Sequence, residues 1–471
     1  MDHHAAAAAR IPAVPLPSKE PQSSHPPEPE KESSRPDWLM LDGVLRGMSD
    51  DDFKSGAVAF QYTSTKDIVA ISIRAAPPPR ISCLAFDWRP NPERPNKPRD
   101  CDPWPWLSEA NAVAAHRSCI LLRLVPFSNN YHNANEEFFV YRASPVSSSL
   151  TRLPSCAHRI INLNSTNHMG ILCRDDGEFA VAHLTVTSKR GKITGCPVTA
   201  DLCCMFSHDL GSWRSTTSVP IRYSEDKAEE LFWWTTDTVV AFGDHICWVD
   251  YLRGILFCDV LSPNPELQYV PLPVNPFDGY YDERFGGRGT LSPYRTVCVT
   301  KDDVSIKFVD IAPRDAWFYG RPDYSAAPSA ITSWTLSSDR LTWVKDGDIK
   351  ADEFADLIKH LDIPDDQPEF PLVDINDPQT IYLVSRDWSF SCPDRKASVL
   401  AVNMFSKKID VPVCYSLRSL KSSGEDVSHS DTTSCNMGNN LPFIPCEFFK
   451  NKKATGRRNK SKLQPDSSAT N

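Results

Sequence analysis

Side chains suited to recognition are concentrated in one long connection of this chain. Residues 275–293 carry a dense group of aromatic, acidic and arginine side chains: Tyr280, Tyr281, Asp282, Glu283 and Arg284. This mixture suits a protein-binding loop, because aromatic rings supply contact area while charges supply specificity. We predict that this loop binds a partner, with a simple variable hairpin loop as the open alternative.

The sequence lacks the common linear motifs for phosphate, metal or covalent chemistry. The glycine-rich stretch 286–289 lacks the Lys-Ser/Thr that a phosphate-binding loop needs, and no C-x-x-C occurs among the 15 cysteines. We interpret the histidines near strands as structural: His116, His168, His183, His208 and His245. The sequence therefore predicts no cofactor, no metal ion and no catalytic activity. An enzyme whose polar site is assembled in a central channel stays open as an alternative.

The segment 245–273 has the pattern of three short β-strands with tight connections. Trp248 lies in the first strand and is expected to fill space between sheets. Asp250 and Asp259 each end an apolar run, and we expect them to accept hydrogen bonds from nearby backbone N–H groups. A paired catalytic role for these two carboxylates is the alternative. Gly254 is predicted to form a tight turn with positive φ.

This segment resembles a plant family of unknown function, domain of unknown function 1618, which is expanded in grasses. The resemblance is carried by Trp248-Val249-Asp250, Gly254, Asp259, Pro265-Glu266-Leu267 and Val270-Pro271-Leu272-Pro273. It extends over about residues 36–450 and is densest over 248–390. Members of the family resemble F-box-associated propeller-like domains. The resemblance therefore implies a propeller-like fold, and it implies no catalytic or cofactor residue.

Apolar runs of strand length recur along the chain and predict an all-β fold of antiparallel meanders. Seven meanders are spaced about 35–50 residues apart, which is typical of a β-propeller of six or seven blades. A packing of the same strands into two sheets stays open. The apolar segment 440–449 is expected to pair with an early strand and close the ring.

Two segments depart from the strand pattern. Residues 77–105 contain nine prolines and are predicted to form a long loop. Residues 352–361 predict one short surface helix, because apolar side chains recur on one face at helical spacing: Phe354, Leu357, Ile358 and Leu361.

Composition divides the chain into three parts. Residues 1–36 are rich in Pro, Ala and Ser and are predicted to be disordered, residues 37–449 form the propeller-like domain, and residues 450–471 form a basic disordered tail. The net charge of −9 disfavours binding of nucleic acid, apart from weak contact through the tail. No apolar run has the length of a membrane helix.

These observations predict an intracellular, cytoplasmic or nuclear protein that is monomeric and has no membrane contact. The predicted function is a protein–protein interaction scaffold for an unidentified protein partner. The alternatives are the enzyme with a site in the channel and a nuclear factor that uses its basic tail.

Overall fold

The computed structural model describes most of the chain between residues 36 and 447. The described residues are 36–54, 58–91, 107–126, 136–144, 147–155, 168–188, 198–274, 291–311, 329–361, 363, 368–386, 395–410, 412–417 and 443–447. The predictions of a disordered segment 1–36 and of a basic tail 450–471 lie outside these residues, apart from Pro36.

The described residues contain 28 strands in six sheets, which form the blades of a six-bladed β-propeller. Blade 1 contains β1 (Trp38–Leu41), β2 (Arg46–Gly47), β3 (Ala59–Tyr62), β4 (Ile68–Arg74), β5 (Ile81–Arg89) and β28 (Ile444–Glu447). Blade 2 contains β6 (Leu107–His116), β7 (Cys119–Pro126), β8 (Glu137–Arg142) and β9 (Ser149–Arg152). Blade 3 contains β10 (Met169–Cys173), β11 (Phe179–Ser188), β12 (Val198–Phe206) and β13 (Asp209–Val219).

The second half of the chain supplies three more blades. Blade 4 contains β14 (Ile221–Arg222), β15 (Thr238–Phe242), β16 (His245–Asp250), β17 (Gly254–Cys258) and β18 (Leu267–Pro271). Blade 5 contains β19 (Arg295–Val299), β20 (Ile306–Ile311), β21 (Ser329–Leu336) and β22 (Trp343–Lys350). Blade 6 contains β23 (Glu369–Val373), β24 (Thr380–Arg386), β25 (Arg395–Asn403), β26 (Lys408–Ile409) and β27 (Val413–Leu417).

Three short α-helices accompany the described strands: α1 (Asp50–Lys54), α2 (Ala228–Phe232) and α3 (Ala351–Ile358). Helix α3 confirms the predicted helix, although it ends before Leu361. Phe354 and Ile358 are buried in the core beside blade 6, and Leu357 and Leu361 pack against the same core. No helix among the described residues is long and apolar enough to cross a bilayer.

The blades are held together by apolar side chains from both faces of their middle strands. In β7, Ile120, Leu122 and Leu124 pack towards blade 1, whereas Cys119 and Leu121 pack towards blade 3. This alternation follows from the two-residue period of a strand. It also explains why the middle strands read as continuous apolar runs rather than as alternating ones.

The ring closes through the end of the chain, as predicted. β28 pairs antiparallel with β1, placing Trp38 opposite Glu447 and Leu41 opposite Ile444. One sheet therefore contains strands from both ends of the described chain. Residues 440–442, at the start of the predicted closing segment, lie outside the described residues.

Two predictions about strand organisation were wrong in detail. The predicted loop 77–105 contains β5, because its prolines lie on either side of the proline-free stretch Ile81–Arg89. The seven meanders also correspond to fewer sheets. The second and third both belong to blade 3, the fifth and sixth both belong to blade 5, and blade 1 was not recognised as a meander.

Candidate functional site in the central channel

A cavity of about 390 Å³ lies on the propeller axis. It is lined by the innermost strands of four blades, β6, β15, β19 and β28, and by the loops that follow β6 and β19. The β6 stretch Ala112–Ala115 contains three alanines and one valine, whose small side chains leave space at the axis where the strands converge. The volume falls within the range of small-molecule sites.

His116 is the last residue of β6 and lines this cavity. Its Nδ1 accepts a hydrogen bond of 2.9 Å from the backbone N–H of Cys173 in blade 3. The neutral ring therefore carries its proton on Nε2. That Nε2 has no hydrogen-bond partner among the described residues, although the side chain is only 8% exposed. Among the described residues, the carboxylate oxygen beside it is Asp303 Oδ1 at 3.7 Å, which is too long for a hydrogen bond.

Arg117 connects three blades beside His116. Its guanidinium pairs with Asp175 of blade 3 and lies 3.4 Å from Asp303 Oδ2 of blade 5. Arg117 and Asp303 both adopt left-handed backbone conformations, with φ of 53° and 54°. Such conformations are uncommon for residues other than glycine and cluster at functional sites. The group His116, Arg117 and Asp303 is called the channel mouth below.

The loop that carries Asp303 is fixed by neighbouring blades. Lys301 N–H donates to the carbonyl of Ile375 at 3.0 Å, and Lys301 Nζ lies 3.6 Å from Asp37 Oδ2. Within the loop, Thr300 N–H donates to the Ser305 carbonyl at 2.9 Å. Asp303 is therefore positioned over the channel by contacts with blades 6 and 1, as well as by its own blade.

Polar groups elsewhere around the cavity have structural partners. Asp237 accepts a hydrogen bond from Tyr251 N–H at 2.7 Å. Arg123 pairs with Glu109 and Glu136. At the channel mouth, His116 Nε2–H is a buried donor of the lining that has no hydrogen-bond partner among the described residues.

The residues singled out around Trp248 are structural. Trp248 is fully buried between blades 3 and 4, and its Nε1 donates to the carbonyl of His168 at 2.8 Å. Asp250 accepts from the N–H groups of Thr235 and Leu252, and Asp259 accepts from that of Leu261, as expected for carboxylates at strand ends.

Gly254 has a different role from the predicted one. Its φ is not positive; instead, a Cβ at this position would lie 2.4 Å from the carbonyl oxygen of Val270. The glycine is therefore needed because β17 approaches β18 closely. The turn before it is made by Tyr251, Leu252 and Arg253, with Arg253 N–H donating to the Asp250 carbonyl at 3.0 Å.

The predicted partner-binding residues Tyr280, Tyr281, Asp282, Glu283 and Arg284 lie outside the described residues. Sequence reasoning missed Arg117 and Asp303, and it interpreted His116 as a structural histidine. No linear signal identifies them, because Arg117 and Asp303 are separated by 186 positions. Among the described residues, no cluster of His, Cys, Asp and Glu is arranged to hold a metal ion.

Comparison with known proteins confirms the predicted family resemblance. Residues 248–382 match the model of the family described as "Protein of unknown function (DUF1618)". A comparison with curated proteins found no match. The family's description assigns no activity.

Three of the solved structures that resemble this chain are compared with it by their sequence identity, by the aligned share of each chain and by their TM-score. The endo-arabinase from Bacteroides thetaiotaomicron is 13% identical, with 54% of this chain and 81% of that chain covered and a TM-score of 0.26. YjhT is 10% identical, with 81% of this chain and 98% of that chain covered and a TM-score of 0.33. The xylan β-1,4-xylosidase from Bacillus halodurans is 8% identical, with 77% of this chain and 69% of that chain covered and a TM-score of 0.25.

These findings correct one prediction from the sequence. The expectation that the protein is not an enzyme is wrong as it was argued, because glycoside-cleaving enzymes occur among the similar structures. At these identities and TM-scores, no activity, substrate or site residue is transferred to this protein.

Proposed function

We propose that the protein binds a small, uncharged, hydroxyl-rich molecule in its central channel. The observation that carries this proposal is the buried His116 Nε2–H, which lines a cavity of about 390 Å³ and has no hydrogen-bond partner among the described residues. A buried donor without a partner costs about 1–3 kcal/mol, and a bound hydroxyl group would remove that cost.

The charges around the cavity favour an uncharged ligand over an ion. Among the described residues, the charged lining residues other than His116 are Arg117 and Arg123 on one side and Asp237, Asp303 and Glu447 on the other. Asp303 faces the Arg117 guanidinium, and Arg123 pairs with Glu109 and Glu136, so both guanidinium groups already have carboxylate partners. Hydroxyl groups both donate and accept hydrogen bonds, which suits a lining of carboxylate oxygens, guanidinium groups and His116. Alanine and valine side chains between these groups provide apolar contact area.

The proposal can be tested by ligand titration of the full-length protein. Glucose, myo-inositol and glycerol serve as hydroxyl-rich probes, with phosphate and choline as charged ones, and binding is followed by thermal shift and calorimetry. We expect at least one hydroxyl-rich probe to bind saturably, with affinity about tenfold or more weaker in His116→Ala. The matched control Asp339→Asn changes an exposed turn and should bind as the wild type does.

Two outcomes would remove the proposal. One is saturable binding of only the charged probes, or of none. The other is unchanged binding in a His116→Ala protein whose far-ultraviolet circular dichroism matches that of the wild type.

Acid–base catalysis at the same site is a second proposal. It is supported by the position of Asp303 Oδ1 at 3.7 Å from His116 Nε2, which a modest movement would bring into hydrogen-bond range. In that arrangement the Asp303 carboxylate would take a proton from the bound molecule or return one to it, and His116 Nε2–H would donate a hydrogen bond to that carboxylate. The imidazole would stay neutral, because its Nδ1 already accepts from Cys173 N–H.

A panel of chromogenic esters, glycosides and phosphates tests this catalytic role. Turnover of one class should fall by about 10²-fold or more in His116→Ala. Absence of turnover across the panel, or turnover that survives both His116→Ala and Asp303→Asn, would count against it.

Binding of a protein partner remains a proposal for the loops around the channel mouth. What supports it is Val304, which is 75% exposed directly beside Asp303. Recovery of a reproducible partner by the wild type, with reduced recovery by Val304→Asp, is expected. Equal recovery by both proteins would exclude Val304 from the contact surface.

A further inference from the structure

Two buried cysteine thiols meet at the seam between blades 2 and 3. Cys119 is the first residue of β7 and Cys173 is the last residue of β10, and their Sγ atoms lie 2.9 Å apart. A disulfide bond has a length of about 2.05 Å, so a small movement would bring the two sulfurs within bonding distance. Both residues are free cysteines.

The surroundings of the pair distinguish the two thiols. The hydrogen bond that they share lowers the pKa of Cys119, with the Arg142 guanidinium contributing, and raises the pKa of Cys173. Cys119 is therefore the thiol that more readily becomes a thiolate, which is the nucleophilic form. The remaining neighbours are mainly apolar side chains of both blades, including Leu121 and Met169.

We propose that Cys119 and Cys173 form a reversible redox pair that a peroxide converts into a disulfide joining blades 2 and 3. The Cys119 thiolate attacks one oxygen of hydrogen peroxide, which gives a sulfenic acid and releases hydroxide. Cys173 sulfur then attacks the Cys119 sulfur; its proton and the departing hydroxide form water, and the S–S bond forms. Overall, two thiols and one peroxide give one disulfide and two waters, so the thiols lose two electrons to the peroxide.

The pair also contacts the channel mouth. The backbone N–H of Cys173 donates to His116 Nδ1 at 2.9 Å, so the residue that would form the disulfide also orients the imidazole ring. Closing the gap between the sulfurs moves Cys173 relative to β7 and therefore moves the ring. This consequence, unlike the disulfide itself, rests on the proposed function of the channel.

The test uses the full-length protein, first reduced and then treated with a single equivalent of hydrogen peroxide. Free thiols are alkylated under denaturing conditions, and disulfide-linked peptides are identified by mass spectrometry. We expect a linked pair of Cys119 and Cys173 that disappears on treatment with dithiothreitol. Cys204→Ser, which removes a buried cysteine of blade 3 outside the pair, should still form it.

The peptide map of the wild-type protein tests for the Cys119–Cys173 disulfide even where a variant fails to fold. Recovery of Cys119 and Cys173 as alkylated thiols after peroxide treatment would overturn the proposal, and so would an equal spread of links among other cysteines. Cys119→Ser and Cys173→Ser should each lack the link.

Coupling to the channel is measured separately. Once a hydroxyl-rich probe is known to bind, its affinity should differ by about fivefold or more between oxidised and reduced protein. An identical affinity would overturn the coupling. Failure of every probe to bind would remove the proposed function and leave the peptide map as an independent test of the redox pair.

Discussion

The segment around Trp248 and the channel mouth contrast in how their polar groups are used. Asp250 is fully buried and accepts hydrogen bonds from two backbone N–H groups as well as from Arg253, and Trp248 Nε1 has a carbonyl partner. At the channel mouth, His116 Nε2 has no hydrogen-bond partner among the described residues, and Arg117 lies in a left-handed conformation.

This difference, together with the position of His116 in the cavity lining, separates residues that build the fold from a residue that is available to a ligand. Among the described residues, the ring nitrogens of His183 also have no hydrogen-bond partner, but His183 does not line the cavity. A buried polar group with a full set of partners contributes to a unique structure and offers little to a ligand. A buried group without a partner is destabilising unless something binds to it. The segment that is easiest to recognise in the sequence is therefore structural, and the candidate site lies elsewhere.

The largest expected effect is loss of stability on replacing Trp248. We expect Trp248→Ala to lower the free energy of unfolding by about 3–5 kcal/mol, because it leaves a cavity between blades 3 and 4. Urea denaturation measures this loss. Trp233→Ala is the control, since that side chain is 38% exposed and its removal should cost about 1 kcal/mol or less. Similar losses in the two variants would contradict the structural role of Trp248.

A pH titration of stability tests the structural role of the buried His183. Burial, followed by the charge on His168, lowers the pKa of His183 from 6.5 to about 4. Because the unfolded chain binds this proton more readily, the contribution of His183 is complete above pH 6.5 and is lost as the pH falls towards 4. The loss is about 2–3 kcal/mol.

The variant His183→Gln should show a weaker fall in stability between pH 6.5 and 4 than the wild type. Its absolute stability is not the readout, since the substitution also alters packing. The control His208→Gln changes an exposed histidine and should keep the wild-type slope. An unchanged slope in His183→Gln would mean that His183 is not the titrating group.

Gly254 tests whether close strand packing explains the glycine in the family segment. We expect Gly254→Ala to cost about 1–3 kcal/mol, because the new Cβ would lie 2.4 Å from the Val270 carbonyl oxygen. Gly347→Ala is the matched control, since a Cβ there would lie 3.9 Å from the Met404 carbonyl oxygen, which is an ordinary van der Waals distance. Equal unfolding free energies for the two variants would show that the close approach does not constrain this position.

The smallest expected effect on stability is at the channel mouth. Asp303→Asn should cost less than about 1 kcal/mol, because its contacts with Arg117 and His116 are long, at 3.4 and 3.7 Å, and asparagine tolerates a left-handed backbone. Asp250→Asn, in the buried pair with Arg253, should cost about 3 kcal/mol. Equal losses would show that Asp303 is as structural as Asp250.

The sequence predicted local features well. The strands around Trp248, the pairing of Asp250 and Asp259 with backbone N–H groups, and the helix near residue 352 all follow from short-range patterns. The sequence also predicted that the C-terminal apolar segment pairs with an early strand, because an isolated apolar segment after a polar stretch needs a partner strand, and this segment pairs with β1.

Grouping of strands into blades was harder to predict. For example, β11 and β12 pair in one blade, although the sequence analysis assigned them to separate meanders. Residues 189–197 between them contain no sequence signal that distinguishes a hairpin from a link between two blades. The role of Gly254 was also missed, since a close approach and a positive φ both favour glycine in the sequence.

Periodicity and turn residues by themselves determined that this chain is all-β, and they favoured a propeller without excluding a packing into two sheets. The motif residues around Trp248 carried the family resemblance. These properties depend on neighbours along the chain, because strand alternation and turn chemistry act over a few residues. Only the tertiary structure decided where a ligand could bind. His116 and Arg117 meet Asp303 because blade 2 and the β19–β20 loop of blade 5 converge on one axis, and no local pattern records that convergence.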